Sequence, residues 1–548
     1  MATPRPDPAR DARVVVVGAG VGGLVSALLL ACRGLDVTLV ERAAEPGGKM
    51  RAIVVDGHPV DSGPTVFTMR WIFEQIFAAA GTRLDAELDL TPLSVLARHH
   101  WPQGARDVAT LDLFADRAHS AEAIGCFAGA AEARRFEAFC GEAARVYRRL
   151  EAPYIRSGRP TFWQMVADLG PGGLAQLAAL GPFASLWRTL ARHFHDARLQ
   201  QLFGRYATYC GASPWQAPAT LMLVAQVEMA GVWSVDGGMH AVARKLAELA
   251  QARGARLRYG MHVDEILVKN GRAAGVRMRP VDAPAGSGET LAADAVVFNG
   301  DAGALPAGLL GEAVRRAAPA MAPHERSLSA LTWSLVARTS GQPLVRHNVF
   351  FQPDYAAEFA DIFGRGRLPR QGTVYVCAQD RDDIGRRASQ AERERLLCLV
   401  NAPAVGDAAT AALDATEIET CERTSFALLQ RCGLTVARQP QATVITTPRD
   451  FHRMFPATGG ALYGRGFSDR WTNGWMTLFK RAGASSALPG LYLAGGSVHP
   501  GPGVPMAAMS GQLAAATLLA HLDSTSRSRR VVISGGMSTP SAMTAGTA

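Results

Sequence analysis

The sequence predicts an α/β protein whose nucleotide-binding part is assembled from separated pieces of chain, and three observations carry that expectation. A β-branched run, Val14 to Val17, leads directly into the glycine-rich stretch Gly18-Ala19-Gly20-Val21-Gly22-Gly23. A long stretch of helical periodicity, about 120–230, then separates this start from a region where β signals return. Finally, Leu491-Tyr492-Leu493-Ala494 and another glycine-rich turn lead into a closing helix.

The 548 residues exceed what one hydrophobic core usually organises, so about two or three lobes are expected. In order, the pattern gives strand 14–17, helix about 22–33 and strand 36–40, followed by the helical stretch. A small meander covers 256–260, 262–269 and 274–279 around the turn Asn270-Gly271, and ends in the strand Ala295 to Phe298. Strand candidates at 330–336 and 373–377, the strand at 491–494 and a helix from Met506 to His521 complete the series. The expected organisation is a loose leader over 1–12, nucleotide-binding pieces at 13–95, 231–305 and 481–522, a helical lobe at 96–230, a mixed-sheet lobe at 306–480, and a loose tail at 523–548.

Composition narrows the classes. With 48% hydrophobic and 19% charged residues, the chain is neither mainly disordered, collagen-like nor a small disulfide scaffold. Its net charge of +9 is almost all arginine, since lysine occurs only at 49, 245, 269 and 480, and no basic run carries interleaved aromatics; no nucleic-acid partner is expected. An anionic membrane surface is a better use of that charge. The eight cysteines contain no C-x-x-C pair and read as buried thiols of a reducing compartment, and His193 and His195 lack companions that would complete a metal set, so no metal is expected. Val14 to Cys32 is uncharged and follows Arg5, Arg10 and Arg13, as a signal peptide or membrane span would. Its four glycines after a β-branched run suit a strand-turn-helix instead, and neither a signal peptide nor a transmembrane helix is expected.

The stretch from Gly18 satisfies G-x-G-x-x-G between strand and helix. Gly18 makes the tight turn, Gly20 lets the backbone approach a pyrophosphate, and Gly23 lets helix and strand pack. Glu41, at the end of the second strand, can bind ribose hydroxyls and would repel a 2′-phosphate, which points to FAD or NAD rather than NADP. Three further features bear on that choice: Gly47-Gly48-Lys49, a second glycine turn with a cation; Asp61-Ser62-Gly63-Pro64-Thr65 after a short hairpin; and Gly495-Gly496 to Gly503-Val504-Pro505-Met506, which leads a strand into the closing helix. Pro505 suits a first helical turn, and the helix dipole there can face an anion such as a reduced flavin.

Taken together, the glycine motif with Glu41, the Gly47-Gly48-Lys49 turn and the C-terminal AGGSVHPGPGVPMAAMSGQLAA resemble the FAD-dependent carotenoid desaturases of the phytoene-desaturase family, within the amine-oxidase-like flavoproteins. GGKMR at 47–51, DSGPTVFTMRWIF at 61–73 and RYATYCGASPWQAPAT at 205–220 resemble most the 1-hydroxycarotenoid 3,4-desaturases of purple bacteria. The resemblance implies a Rossmann-like FAD-binding domain of the amine-oxidase type, interleaved with a mixed-sheet substrate domain and a helical membrane-facing lobe. It places Gly18, Gly20 and Gly23 at the pyrophosphate, Glu41 at the ribose, Gly48 and Lys49 near the phosphates, and the backbone of Val263 at the adenine. Gly63, Pro64, Thr65, Gly503, Val504, Pro505 and Met506 would border the isoalloxazine. Gly495 belongs to the same segment, and at Gly496 many relatives carry aspartate, which leaves the ribityl contacts there open.

Arg205, Tyr206 and Tyr209, with Trp233, are the substrate-facing candidates; helix-surface or core packing is the competing reading. Trp71, Phe73 and Phe77 read as core by their spacing, and 236–240 reads equally as active-site wall or as a turn capping a helix. The uncharged run 169–187 reads as a membrane-dipping entrance or a buried helix. The implied reaction removes two hydrogens from a 1-hydroxylated carotenoid to create its C3–C4 double bond. The flavin carries the chemistry, no catalytic acid or base is assigned, and quinone or oxygen is the terminal acceptor. The implied location is the cytoplasmic face of the inner membrane, without a spanning helix. Rivals are a phytoene desaturase, another flavin oxidoreductase of the superfamily, and a non-enzymatic lipid or prenyl carrier on the same scaffold.

Overall fold

The computed structural model describes residues 12–533 apart from 105–106, 159–160, 169, 171, 174–183, 388–390, 409–412 and 468–476. The leader over 1–11, the end of the tail from 534 and most of the run 169–187 lie outside the described residues.

The strand β1 (Arg13–Val17) is followed by helix α1 (Val21–Ala31) and strand β2 (Asp36–Val40). Three more strands, β3 (Arg256–Arg258), β4 (Ala295–Phe298) and β5 (Leu491–Leu493), come from far along the chain. All five pair in parallel in the order β3-β2-β1-β4-β5. A parallel sheet is covered on both faces, which is why β1 reads as an unbroken valine run rather than an alternating one, with Val14 to Val17 all buried.

The closing helix α2 (Val504–Ile533) packs on α1 through glycine. A Cβ at Gly511 would lie 2.3 Å from the Gly22 carbonyl oxygen, and Ser26 Oγ donates to the carbonyls of both Gly22 (2.9 Å) and Gly511 (3.0 Å). The helix begins before Met506 and continues past His521, so the first part of the expected loose tail is helical.

A meander, Met261–Lys269, Arg272–Pro280 and Glu289–Ala292, follows β3. Asn270 and Gly271 both take positive φ, 52° and 70°, as the two-residue hairpin turn requires. The largest sheet is mixed, in the order Leu434–Ala437, Ser329–Gly341, Glu394–Ala402, Val374–Ala378, His347–Phe350, Val95–Gln103 and Asp107–Phe114. Its last two strands contradict the expected boundary of the helical lobe at 96. Residues 95–103 and 107–114 belong to this sheet through the parallel pair Val349–His99, and the helical lobe starts with Arg117–Ala128. The lobe's long helix, Ala130–Leu150, buries Phe136 and Phe139 against Phe194 and Phe203, and these rings belong to the same continuous core as α1 and α2.

Candidate functional site

At the C-terminal end of β1 the backbone turns through Gly18, at φ 100°, where its amide donates to Val40 O (2.8 Å). Gly20 then caps α1 without a side-chain hydrogen bond, so the first-turn amides point at the space beyond the loop. Three glycines are fixed by sterics. A Cβ at Gly23 would sit 2.1 Å from Gly18 O, one at Gly20 would sit 2.8 Å from Asn299 Nδ2, and one at Gly22 would meet Asn299, Gly495 and Ala507 within 2.9 Å. Asn299, just after β4, therefore lies under the whole loop, and its Nδ2 donates to Gly18 O (3.2 Å). Sequence reasoning missed it, because nothing local to Asn299 distinguishes it.

The second glycine turn lies on the first. Gly47 forms a parallel bridge with Gly20, and its amide donates to Ala19 O (2.8 Å). Gly48 has φ 59°, and its Cβ position is 3.3 Å from the Gly20 Cα. Lys49 turns away from this cradle: Nζ donates to Leu462 O (2.7 Å) and lies 5.3 Å from the Phe455 ring centroid. Burial pulls its pKa down, partly offset by Asp301. Glu41 accepts from the amides of Ala19 (2.6 Å) and Ala43 (2.7 Å), which fixes the carboxylate at the rim of the loop. Its own carbonyl accepts from Met261 N (2.9 Å), so the strand carrying Val263 is tied to it.

At the far end of the cradle, a Cβ on Gly63 would lie 2.1 Å from Lys49 O, which holds the Gly63-Pro64-Thr65 loop against the second turn. Asp61 anchors the same loop by accepting from Met239 N (2.6 Å), at the start of the helix His240–Ala252. The turn at 236–240 thus serves as a helix start. Across from it, Gly495 (φ 111°) donates its amide to Ser510 Oγ (2.7 Å), and Gly503 (φ 106°) precedes α2, whose first turn carries Val504, Pro505 and Met506 and no acidic residue. Gly496 leaves its Cβ direction open, with no atom closer than 3.7 Å. Buried Arg481 sits beneath this segment, with Cζ 3.8 Å from the Cβ position of Gly501.

The space facing this end is lined by polar side chains from remote strands and turns. Thr65 Oγ1 is 2.6 Å from Tyr375 OH, which is 2.7 Å from His347 Nδ1. Arg205 donates from Nη1 to Tyr209 OH (2.8 Å), and its guanidinium lies 5.1 and 5.3 Å from the ring centroids of Tyr209 and Tyr375. Tyr206 OH donates to Glu228 Oε2 (2.6 Å), and burial raises the pKa of Glu228. Burial pushes His347 down to about 3, so its ring is neutral at ordinary pH. Arg205, Tyr209, Glu228 and Tyr375 are enclosed deep in the molecule yet keep accessible surface, so that surface faces an internal space. Trp233 stands apart, in a strand paired to Phe67, with Arg70 over its ring. Phe73 and Phe77 are fully buried core. Glu228, His347 and Tyr375 carry no motif that a sequence could display.

The residues fit a flavin dinucleotide: a glycine cradle that any Cβ would obstruct, an anion-ready helix start, a fixed carboxylate at the rim of the loop, and a second helix start at the opposite end. These features define the class, and the chain belongs to the flavin-containing amine oxidoreductase family, whose family model matches residues 21–332. The fold agrees. A solved structure of putrescine oxidase superposes with TM-score 0.56 at 15% identity, covering 93% of this chain and 99% of that one. The chain is an FAD-dependent oxidoreductase with an amine-oxidase-type fold. Within the family it is 64% identical to the hydroxyneurosporene desaturase of Rubrivivax gelatinosus, over 99% of this chain and 100% of that protein. It is 44% identical to the hydroxyneurosporene desaturase of Cereibacter sphaeroides, over 94% and 99% respectively.

Proposed function

We propose that this chain introduces the C3–C4 double bond of 1-hydroxyneurosporene or a related 1-hydroxylated carotenoid. The observation that carries the reading is 64% identity along the whole length to a hydroxyneurosporene desaturase, with the glycine cradle intact. FAD, when bound, supplies the acceptor for the electron pair and one of the two hydrogens. The residues proposed to hold it are Gly18, Gly20, Gly23 and Gly48 at the phosphates, Glu41 at the ribose and Val263 at the adenine, whereas the Lys49 ammonium, bonded to Leu462 O, is not among them. Gly63, Pro64, Thr65, Gly495, Gly496, Gly503, Val504, Pro505 and Met506 complete the flavin end.

The substrate's own conjugation spreads the positive charge left as a C–H bond gives up its electron pair, and the adjacent carbon then loses a proton. The protein's contribution is alignment and exclusion of water, from Arg205 and Tyr209 along the enclosed space, while Tyr206 is buried behind them and Trp233 lies outside it. The electrons pass on to quinone or oxygen.

An insoluble polyene is best drawn from a bilayer, and we place the enzyme on the cytoplasmic face of the inner membrane. No helix among the described residues is long and apolar enough to cross a membrane. Trp163, 73% exposed on the helix Phe162–Asp168, supports surface docking next to the apolar run 169–187.

Expression in a host that accumulates 1-hydroxyneurosporene tests the reading. The pigment spectrum should shift to the red by one conjugated bond, and the Gly20→Val variant should leave it unshifted. Soluble, flavin-loaded protein with an unshifted spectrum would remove the substrate assignment.

A further inference from the structure

We propose that the hydrogen-bonded chain Thr65–Tyr375–His347 recognises the tertiary hydroxyl of the substrate and so selects hydroxylated over plain hydrocarbon ends. The inference rests on the 3,4-desaturase reading above. In such a substrate the oxygen is three bonds from C3 and four from C4. At ~1.5 Å per bond it cannot lie more than ~6 Å from either reacting carbon. Whatever binds the hydroxyl must therefore stand beside the flavin end of the cradle.

Thr65 stands there, directly after Gly63-Pro64, and it begins a polar chain that runs inward. Its Oγ1 is 2.6 Å from Tyr375 OH, and Tyr375 OH is 2.7 Å from His347 Nδ1. The chain ends at His347, whose Nε2 is buried with no hydrogen-bond partner among the described residues. With a neutral imidazole, each link carries one proton, and the chain has two possible senses. If Thr65 donates to Tyr375 and Tyr375 to His347, Thr65 is left as an acceptor. In the opposite sense, Thr65 is left with a proton to donate.

An alcohol, being both donor and acceptor, completes either sense. A hydrocarbon end adds no hydrogen bond in the first sense and leaves the proton of the half-buried Thr65 hydroxyl unpaired in the second. The Arg205 guanidinium, 5.3 Å from the Tyr375 ring centroid and in no ion pair among the described residues, adds a positive field that favours an approaching oxygen lone pair. The competing role for the chain is to brace the Thr65 loop against the sheet, which affects every substrate alike.

The test uses full-length, FAD-loaded enzyme with liposomes carrying either 1-hydroxyneurosporene or neurosporene, comparing kcat/KM for the two. Wild type should favour the hydroxylated substrate. Tyr375→Phe should lower that preference by about tenfold to a hundredfold, through loss on the hydroxylated substrate, and Thr65→Val should lower the ratio likewise, with both rates expressed per bound flavin because Thr65 also borders the flavin end. Thr65→Val keeps the shape of the side chain and so guards against misfolding of the Tyr375 variant. An unchanged preference in both variants, or equal losses on both substrates, overturns the proposal while leaving the desaturase reading intact. A flavin-loaded wild type that turns over neither carotenoid overturns the reading itself, and the proposal with it.

Discussion

Gly23 and Glu41 show how much a single atom decides at the cofactor. A methyl group at Gly23 would overlap the backbone oxygen of Gly18 at 2.1 Å and press on the Asn299 side chain at 3.0 Å. Gly23→Ala should therefore yield protein without the yellow absorbance of bound flavin, read directly in its visible spectrum. Glu41 holds the amides of Ala19 and Ala43 with a full charge, and Glu41→Gln replaces charge-assisted bonds by neutral ones. The expected outcome is FAD affinity weaker by about tenfold to a hundredfold, measured by titrating apoprotein. Both residues were legible in the sequence because their signal is local: a turn, a spacing and a strand end. His347 and Tyr375 were not, since sheet pairing alone brings them to Thr65, and Lys49 illustrates the same limit: its place beside the glycine turn could be read, but the direction of its side chain could not.

Two elements carry most of what the sequence left hidden. The strand Val95–Gln103 contains Arg98, His99, His100 and Pro102 without a strand's alternation, so its sequence reads as part of the helical lobe, and only its pairing with His347–Phe350 shows it as a strand. Burial holds His99, His100 and His347 each near pKa 3, against an ordinary value of 6.5. The unfolded chain therefore binds more protons than the folded one between those limits, so stability falls as pH drops below 6.5. Each histidine adds about 1.4 kcal/mol per pH unit to that slope. Thermal melting should shift steeply between pH 6.5 and 5, and His100→Phe, which keeps the stacking on Phe350, should flatten the slope by one proton. The α1–α2 contact is the second such element. Its glycine pair was hidden because Gly511 sits inside an ordinary helical pattern. Gly511→Val would drive the helices apart at Gly22 O, and both melting temperature and flavin content should fall together, as overpacking costs of about 1–3 kcal/mol or more predict.

At the scale of the molecule, the proposed membrane docking is testable at the exposed Trp163. Trp163→Ser should reduce sedimentation with anionic liposomes, with bound flavin unchanged in its spectrum. The overall layout was readable as alternating pieces, because the nucleotide fold announces itself at both ends of the chain. The length of α2 was not, since Ser, Thr and Arg from 524 onward have the composition of a tail yet continue the helix to Ile533. That layout also sets a timetable. β1 emerges from a ribosome hundreds of residues before β5 and α2, and at ~5–20 residues per second the interval is roughly half a minute or more. Until β5 arrives the β4 edge of the sheet stays unpaired, and until α2 arrives α1 lacks the helix that packs on it, so the flavin site is completed only by the last of these segments.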